Sequence, residues 1–237
     1  MSSSSFKFQH FTIEQEQCAM KVGIDSVLLG AWTPTKGAKN ILDLGCGTGL
    51  LALMMAQKSE AEIAAVEIEK KAFAQAQKNI ANAPYADRIT LHHKAIQTFQ
   101  SDKTYELIIS NPPYFESSLK ARDTSRTLAR HNDSLPLEEL FAHSRRLLSA
   151  QGHLCLIFPF ASRHRLLTSA ADKGFYPSHM LMVKGKEHKA YNRLLINFST
   201  SKSACKKESL SIYDSAGKYS PEFRKLTEDF YLPSIFR

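Results

Sequence analysis

The sequence predicts an α/β fold whose mostly parallel, seven-stranded sheet ends in a C-terminal antiparallel hairpin. Short apolar strand segments alternate with helical segments along most of the chain. That order indicates parallel strands joined by helical crossovers. A glycine-rich stretch at 43–49 lies between a predicted strand and the helix that follows it. The last two predicted strands follow each other directly, which indicates the hairpin.

Each predicted element follows from its apolar pattern and its boundary residues. The strands are apolar runs between glycine, proline or polar clusters, at 40–44, 62–67, 88–92, 105–110, 153–158, 177–184 and 191–199. Three helices are predicted at 49–58, 69–81 and 163–173. A further short helix at 27–29 ends at Gly30, and another is capped by Ser134 and stopped by Gly152. We expect residues 201–209 to form an exposed loop and 219–230 a packed helix or turn.

The composition fits one cytoplasmic domain. The 237 residues, 43% of them hydrophobic, suffice for a full core, so we expect a single domain over 1–237 with a flexible tail or edge strand at 1–10. The four cysteines are far apart and form no CxxC pair, which disfavours disulfides and a zinc cluster and favours a reducing cytosol. We therefore expect no metal site. No apolar run approaches the ~20 residues of a membrane span, and the N-terminus lacks a signal-peptide pattern.

The charge of the chain suggests a polyanionic partner. The formal net charge is +8 and the isoelectric point is about 9.3. A protein this basic often binds nucleic acid. An ordinary soluble surface remains an equally open alternative at this point.

The glycine-rich stretch predicts a nucleotide-like cofactor with a cationic group. Residues 43–49 read Asp-Leu-Gly-Cys-Gly-Thr-Gly, and Glu67, at the end of the next strand, can accept hydrogen bonds from a ribose diol. The spacing is GxGxG rather than the GxGxxG of dinucleotide enzymes. Asp43 would repel phosphate but attract an ammonium group such as that of a methionine moiety. S-adenosylmethionine fits this pattern; a structural glycine turn is the alternative. We interpret Cys46 as a small buried filler rather than a reactive thiol.

The stretch SNPPYF, at 110–115, predicts a site that methylates a planar amine. The side-chain oxygen of Asn111 and the carbonyl of Pro112 could accept the two N–H bonds of such an amine and direct its lone pair at a methyl donor. Pro112 and Pro113 restrict the backbone, which holds both acceptors in place. Tyr114 offers a ring on which an extruded base can stack, worth roughly 1–3 kcal/mol. Adenine N6, guanine N2, cytosine N4 and a glutamine amide all suit the motif, and a plain Asn-Pro turn is the structural alternative.

These motifs, with three further stretches, make the chain resemble the bacterial tRNA1(Val) (adenine-37-N6)-methyltransferase family. The further stretches are CAMKVGIDSVLLGAW at 18–32, ARH at 129–131 and YSPEFRKLTEDFYL at 219–232. The resemblance implies a Rossmann-like, class I S-adenosylmethionine-dependent methyltransferase. It implies methylation of N6 of adenosine 37, beside the anticodon of a tRNA, with the anticodon stem-loop as partner and a monomeric enzyme.

The resemblance also implies site residues. The segment 11–32 would cover the cofactor, and Asn111, Pro112, Pro113 and Tyr114 would form the catalytic motif. The cofactor-binding residues would be Lys21, Gly23, Asp25, Asp43, Gly45, Cys46, Gly47, Gly49, Glu67, Ile68, Ala95, Ile96 and Asn111. This chain differs from many members of the family in the loop after the third predicted strand. Many relatives have an aspartate there that reads the adenine of the cofactor, whereas here backbone groups of Ala95 and Ile96 would serve.

A basic segment and a basic hairpin are the candidate RNA contacts. The residues are Phe115, Arg122, Arg126, Arg130 and Lys186, the last in the loop of the C-terminal hairpin. Solvated charged loops are the alternative for both. Two other functions remain open from the residues alone. One is methylation of another planar amine, such as guanine N2, DNA adenine N6 or a protein glutamine. The other is a non-catalytic RNA-binding protein with the same fold.

Overall fold

The computed structural model describes residues 5–16, 21–113 and 135–237. Its strands in these ranges are β1 (Ser5–Lys7), β2 (Thr12–Glu14), β3 (Asn40–Leu44), β4 (Glu62–Glu67), β5 (Ile89–His93), β6 (Tyr105–Ser110), β7 (Leu148–Pro159), β8 (Tyr176–Lys186), β9 (Tyr191–Ser199) and β10 (Lys206–Tyr213). Its α-helices in these ranges are α1 (Ile24–Trp32), α2 (Leu50–Lys58), α3 (Lys70–Ala81), α4 (Leu137–Leu147), α5 (Arg163–Ala171) and α6 (Pro221–Thr227). Short 3-10 helices lie at Ala86–Arg88, Phe160–Ser162 and Pro233–Phe236.

The central sheet confirms the predicted fold class. Its order is β10-β8-β9-β7-β6-β3-β4-β5. The strands from β5 to β7 pair in parallel, and β9 pairs antiparallel with both β7 and β8. The predicted hairpin is therefore β8–β9. Because β3 lies between β4 and β6, the chain reverses its direction of winding at β3, and a crevice forms at the carboxyl ends of these strands.

The described part of the chain contributes eight strands to this sheet rather than the seven predicted. The eighth, β10, pairs in parallel with β8 at the sheet edge and includes residues expected in the loop at 201–209. Most of its first half is polar and exposed, so it carries no apolar pattern. Only Leu210 and Ile212, which are 7% and 2% exposed, enter the core.

Helices cover both faces of the sheet, and neighbouring residues of a strand alternate between them. In β3, Ile41 packs into the cluster that contains α1 and α2, while Leu42 packs into the cluster that contains α4 and α5. This period of two is the pattern of a strand buried on both sides. The two cores fix β3, and hence the loop that follows it, from both faces.

Of the two alternatives predicted for the N-terminal residues, a flexible tail or an edge strand, residues 5–10 agree with a strand. β1 and β2 pair antiparallel, Phe8 is fully buried, and Phe8 forms an isolated bridge with Tyr231 near the C-terminus. The rings of Phe8 and Tyr231 stack with centroids 6.0 Å apart. Aromatic burial thus holds the two chain ends together.

Two glycines have functions that differ from those predicted. Gly30 does not end α1, which continues to Trp32. A Cβ at Gly30 would lie 2.5 Å from the sulfur of Met54, so the glycine allows α1 and α2 to pack closely. Gly152 does not stop α4, which ends at Leu147. It lies within β7, where a Cβ would be 2.8 Å from the carbonyl oxygen of Tyr105.

Candidate active site

Three motif-bearing chain segments meet at the carboxyl edge of the sheet. The glycine loop follows β3, Glu67 ends β4, and Asn111 follows β6. Asp43 of β3 is in register with Ala65 of β4 and with Ile109 of β6. The three segments therefore leave neighbouring strands at the same level, which brings together residues that are distant in sequence.

The glycine loop forms an open cradle with a fixed backbone. Gly45, Gly47 and Gly49 have positive φ angles of 69°, 56° and 83°, a conformation that other residues rarely adopt. The backbone N–H groups of Gly45 and Cys46 both donate to the carbonyl of Val66, which ties the loop to β4. A Cβ built on Gly45 or Gly47 would meet no atom within 4 Å. The space beside these two glycines is therefore open to a ligand.

Glu67 holds the cradle in place from the neighbouring strand. One carboxylate oxygen accepts the N–H of Gly47 at 2.8 Å, and the other accepts the N–H of Glu69 at 2.8 Å. Each oxygen has a second lone pair, which a ribose hydroxyl could use. The next residue, Ile68, has 62% of its surface exposed, which is unusual for a large apolar side chain. Glu67 and Ile68 together offer a hydrogen-bonding group and an apolar surface side by side.

Asp43 is fully buried beneath the loop. One carboxylate oxygen, Oδ2, accepts the N–H of Ala52 in the first turn of α2 at 2.9 Å, so Asp43 caps that helix from a distance. The other, Oδ1, has no hydrogen-bond partner among the described residues. Burial raises the pKa of Asp43 to about 8; the hydrogen bond from Ala52 lowers that pKa and the nearby Glu67 raises it further. Oδ1 is therefore a buried acceptor that a cation or a water molecule in contact with it would satisfy.

Asn111 is oriented by a residue of α1. Its Nδ2 donates to the hydroxyl oxygen of Ser26 at 2.9 Å. The amide oxygen of Asn111 therefore lies on the side of the amide group opposite to Ser26. This is the orientation that accepting a hydrogen bond from a substrate amine requires. The strand end itself is fixed, because the hydroxyl of Ser110 donates to the carbonyl of Leu44 at 2.7 Å. Pro112 is buried and Pro113 is exposed. Tyr114 and Phe115 lie outside the described residues.

The predicted residues for the methionine end lie at the start of α1. Gly23 is the N-cap of this helix, and Lys21, two residues earlier, is exposed. Asp25, in the first turn, forms an ion pair with Arg193 of β9. This pair fixes the N-terminus of α1 to the hairpin side of the sheet. The carboxylate of Asp25 therefore already binds the guanidinium of Arg193. Any contact of Asp25 with the cofactor would be made in addition to this ion pair.

In the loop after β5, the two residues predicted to contact the cofactor, Ala95 and Ile96, have no polar side chain. The carbonyl of Ala95 accepts from the N–H groups of Thr98 and Phe99, so it closes a turn. The side chain of Ile96 is 8% exposed and belongs to the core. The predicted contact of Ala95 and Ile96 with the cofactor would therefore have to use the N–H groups of this turn.

Sequence reasoning missed Ser26 and Arg193. Ser26 looks like an ordinary polar residue at a helix start, and Arg193 like an ordinary residue of a hairpin strand. Their partners lie 85 and 168 positions away, respectively, so no local spacing could reveal them. Of the predicted RNA contacts, Lys186 lies exposed at the end of β8, on the same edge as Asn111. Arg122, Arg126 and Arg130 lie outside the described residues.

The described ranges contain neither a cluster of metal-ligating side chains nor a helix that could span a membrane. No group of three or more histidine, cysteine, aspartate or glutamate side chains in residues 5–16, 21–113 and 135–237 could hold a metal ion. No helix in the described part of the chain has the length and apolar character that crossing a bilayer requires.

Comparison with known proteins agrees with the fold. The model of the family "Methyltransferase small domain" matches residues 17–170. A solved structure, a predicted O-methyltransferase from Agrobacterium tumefaciens, superimposes with a TM-score of 0.66 at 18% identity, covering 87% of this chain and 96% of that one. The protein is a class I, Rossmann-like methyltransferase.

Curated relatives narrow this class to one family. The tRNA1(Val) (adenine(37)-N6)-methyltransferases of Parabacteroides distasonis and Tolumonas auensis are each 43% identical to this chain. The first alignment covers 98% of this chain and 99% of the relative, and the second 98% of each. The chain belongs to the tRNA1(Val) (adenine(37)-N6)-methyltransferase family.

The cofactor of this methyltransferase is S-adenosylmethionine, and the residues present fit it. The cradle beside Gly45 and Gly47 is open, and the buried Oδ1 of Asp43 has no partner among the described residues. An ammonium group is the ligand chemistry that such an oxygen favours. Glu67 and the exposed Ile68 suit a ribose and an adenine ring, respectively.

Proposed function

We propose that this protein methylates N6 of adenosine 37 in tRNA1(Val), as a monomer in the cytoplasm. The observation that supports it most directly is the Asn111 amide, which Ser26 orients beside the open glycine cradle. The names of the relatives supply the substrate, because each is described as acting on adenine 37 of tRNA1(Val). The motif alone would also suit other planar amines.

The chain's own residues would activate the amine by orientation. S-adenosylmethionine, when bound, supplies an electrophilic methyl group. The oxygen of Asn111 and the carbonyl of Pro112 would each accept one N–H bond of the adenine amine. The lone pair of the nitrogen then turns out of the plane of the ring, toward the cradle. Positioning of this kind contributes several kcal/mol without a covalent intermediate. We propose that Tyr114 stacks on the extruded base.

The basic surface would hold the anticodon stem-loop. Lys186, at the end of β8, lies on the edge of the sheet that carries Asn111. Phe115 follows the catalytic motif directly in the sequence, and Arg122, Arg126 and Arg130 lie in the segment after it. Phosphate contacts from such residues position an RNA without reading its bases. The net charge of +8 agrees with a polyanionic substrate.

A pair of transcripts tests the proposal. Unmodified tRNA1(Val) transcript and the same transcript with guanosine in place of adenosine 37 are incubated with the protein and methyl-labelled S-adenosylmethionine. We expect label in the first transcript and none in the second. Equal labelling of both would show a different target nucleotide. Absence of label in both, with intact cofactor binding measured by calorimetry, would favour a non-catalytic RNA-binding protein.

A further inference from the structure

Two aromatic rings and two cations lie together at the carboxyl edge of the sheet. The rings of Phe160 and Tyr191 have centroids 5.3 Å apart. The Arg163 guanidinium carbon lies 4.4 Å from the centroid of the Phe160 ring, and the Lys184 ammonium lies 5.8 Å from that of Tyr191. All four side chains are half-buried. We refer to Phe160, Arg163, Lys184 and Tyr191 as the aromatic-basic cluster.

The aromatic-basic cluster lies beside the catalytic motif. Leu156 of β7 pairs with Ser110, so Phe160, four residues later, lies on the order of 10 Å beyond the end of β6. Tyr191 begins β9, which runs antiparallel to β7. The cluster is thus within about the length of one or two nucleotides of Asn111.

A series of contacts connects the aromatic-basic cluster to Asn111. Arg193, two residues after Tyr191, is in register with Pro159 and forms the ion pair with Asp25. Ser26, next to Asp25, accepts the hydrogen bond from Asn111. The start of α1 therefore holds the cluster and the catalytic amide in a fixed relation, as a site with two parts requires.

The charge around the aromatic-basic cluster suits an anion. Asp25, the acid at the start of α1, already pairs with Arg193. Glu187 in the hairpin is exposed, and its backbone carbonyl accepts from Lys184 at 2.6 Å. Arg163 donates one N–H to the carbonyl of Phe160 at 3.1 Å, and a guanidinium has five such donors. With respect to the described residues, donors of Arg163 and Lys184 therefore remain for a phosphate.

From this arrangement we propose that the aromatic-basic cluster binds an unpaired nucleotide next to the target adenosine, a proposal that rests on the proposed tRNA methylation. The base stacks on the ring of Tyr191, and Arg163 and Lys184 contact the adjoining phosphate. Single-stranded RNA is recognised by such combinations of aromatic rings and cations. Holding a neighbouring nucleotide would keep the loop open while the target base occupies the site at Asn111.

The same strands provide a matched control at their opposite ends. The Lys202 ammonium lies 5.1 Å from the ring centroid of Tyr176, which begins β8 at the amino edge of the sheet. This pair has the same chemistry but lies away from Asn111. The test therefore compares Tyr191→Ala and Arg163→Gln with Tyr176→Ala and Lys202→Gln.

We expect Tyr191→Ala and Arg163→Gln each to raise the Kd for tRNA1(Val) transcript about tenfold, and the two controls to change it less than about twofold. Affinity for S-adenosylmethionine, measured by calorimetry, should stay at the wild-type value in all four variants. A second readout uses 2-aminopurine placed on either side of adenosine 37. The wild-type protein should quench its fluorescence by stacking, and Tyr191→Ala should not.

The outcomes separate this inference from the function on which it rests. If the wild-type protein methylates the transcript but Arg163→Gln and Tyr191→Ala bind it with wild-type affinity, the inference is wrong and the proposed function stands. If the wild-type protein transfers no methyl group to the transcript, both are wrong. Should Tyr191→Ala lose its thermal transition, Arg163→Gln, which removes the charge and keeps a polar side chain at this half-buried position, still decides the question.

Discussion

Among single residues, the orientation of one amide determines what this site can do. Nδ2 of Asn111 donates to Ser26 at 2.9 Å, so the oxygen is the atom on the other side. With the opposite orientation, the amide would present N–H donors to an amine whose own N–H groups also donate. We therefore propose that Ser26 acts on the reaction through Asn111 rather than through the substrate.

Replacing Ser26 tests this relation. Ser26→Ala removes the acceptor, and we expect kcat to fall about tenfold because one hydrogen bond that orients the amide is removed. Cofactor affinity should not change. Ser26→Thr keeps the hydroxyl and should restore most of kcat, which a purely structural effect of the helix start would not predict. A wild-type kcat for Ser26→Ala would show that Asn111 needs no such support.

The buried Asp43 predicts a pH dependence of stability. Burial raises the pKa of Asp43 to about 8, whereas an unfolded aspartate titrates near pH 4. Between these values the folded protein retains a proton that the unfolded chain releases. The free energy of unfolding contributed by this group therefore falls as the pH rises from about 4 to about 8.

Asp43→Asn should remove this fall in the free energy of unfolding with rising pH, while retaining an acceptor for the N–H of Ala52. Urea unfolding of both proteins without cofactor, between about pH 5 and about pH 8, checks it. We expect the variant to gain stability relative to the wild-type protein as the pH rises, with the largest difference near pH 8. Parallel curves for the two proteins would contradict the assigned titration of Asp43.

On the scale of secondary-structure elements, α1 connects Asn111, the proposed catalytic residue, to the β8–β9 hairpin. Its N-terminal turn carries Asp25 and Ser26, and its C-terminal end is held by Lys58 of α2. The Lys58 ammonium donates to the carbonyls of Gly30, Ala31 and Thr33 at 3.1, 2.7 and 2.6 Å. These oxygens would otherwise be unsatisfied groups at a helix end.

Lys58→Met keeps most of the apolar stem but removes these donors. We expect the free energy of unfolding to fall by about 2–3 kcal/mol, since buried carbonyls lose a charged partner. Lys78→Met, on an exposed turn of α3, is the matched control and should change stability by less than about 0.5 kcal/mol. Urea unfolding measures both. Equal effects of the two substitutions would show that Lys58 does not cap α1.

The elements differ in how far the sequence could predict them. The strands of the parallel core and the β8–β9 hairpin were predictable because their residues are apolar and bounded by turn residues. The edge strand β10 was not, because its first residues are polar and exposed. The site residues Asp43, Glu67 and Asn111 were predictable because each belongs to a short sequence motif or lies at a fixed spacing from one. Ser26 has no such signal, since only the tertiary fold brings it to Asn111.

For the whole molecule, the charge of +8 predicts how tRNA binding depends on salt. Arg122 and Arg126 lie outside the described residues, and their proximity to the catalytic motif is known from the sequence alone. Charge reversal at both, as Arg122→Glu with Arg126→Glu, should weaken tRNA binding. It should also flatten the dependence of log Kd on log salt concentration by about one unit for each phosphate that the variant no longer neutralises.

A control for this experiment lies on the far side of the sheet. Lys202→Glu with Lys207→Glu changes the net charge equally, but both lysines are exposed at the amino edge, away from Asn111. We expect a smaller decrease in affinity and a nearly unchanged salt slope. The same change of slope in both double variants would indicate that only the net charge matters.

The most direct test of the central claim identifies the methylated nucleoside. Wild-type protein and Asn111→Ala are incubated with methyl-labelled S-adenosylmethionine and unmodified total tRNA, and the tRNA is then digested to nucleosides. We expect the wild-type protein to label only N6-methyladenosine. We expect Asn111→Ala to leave cofactor binding largely intact but to transfer label about 100-fold more slowly or worse. Label in another nucleoside, or equal rates for the two proteins, would contradict the proposed reaction.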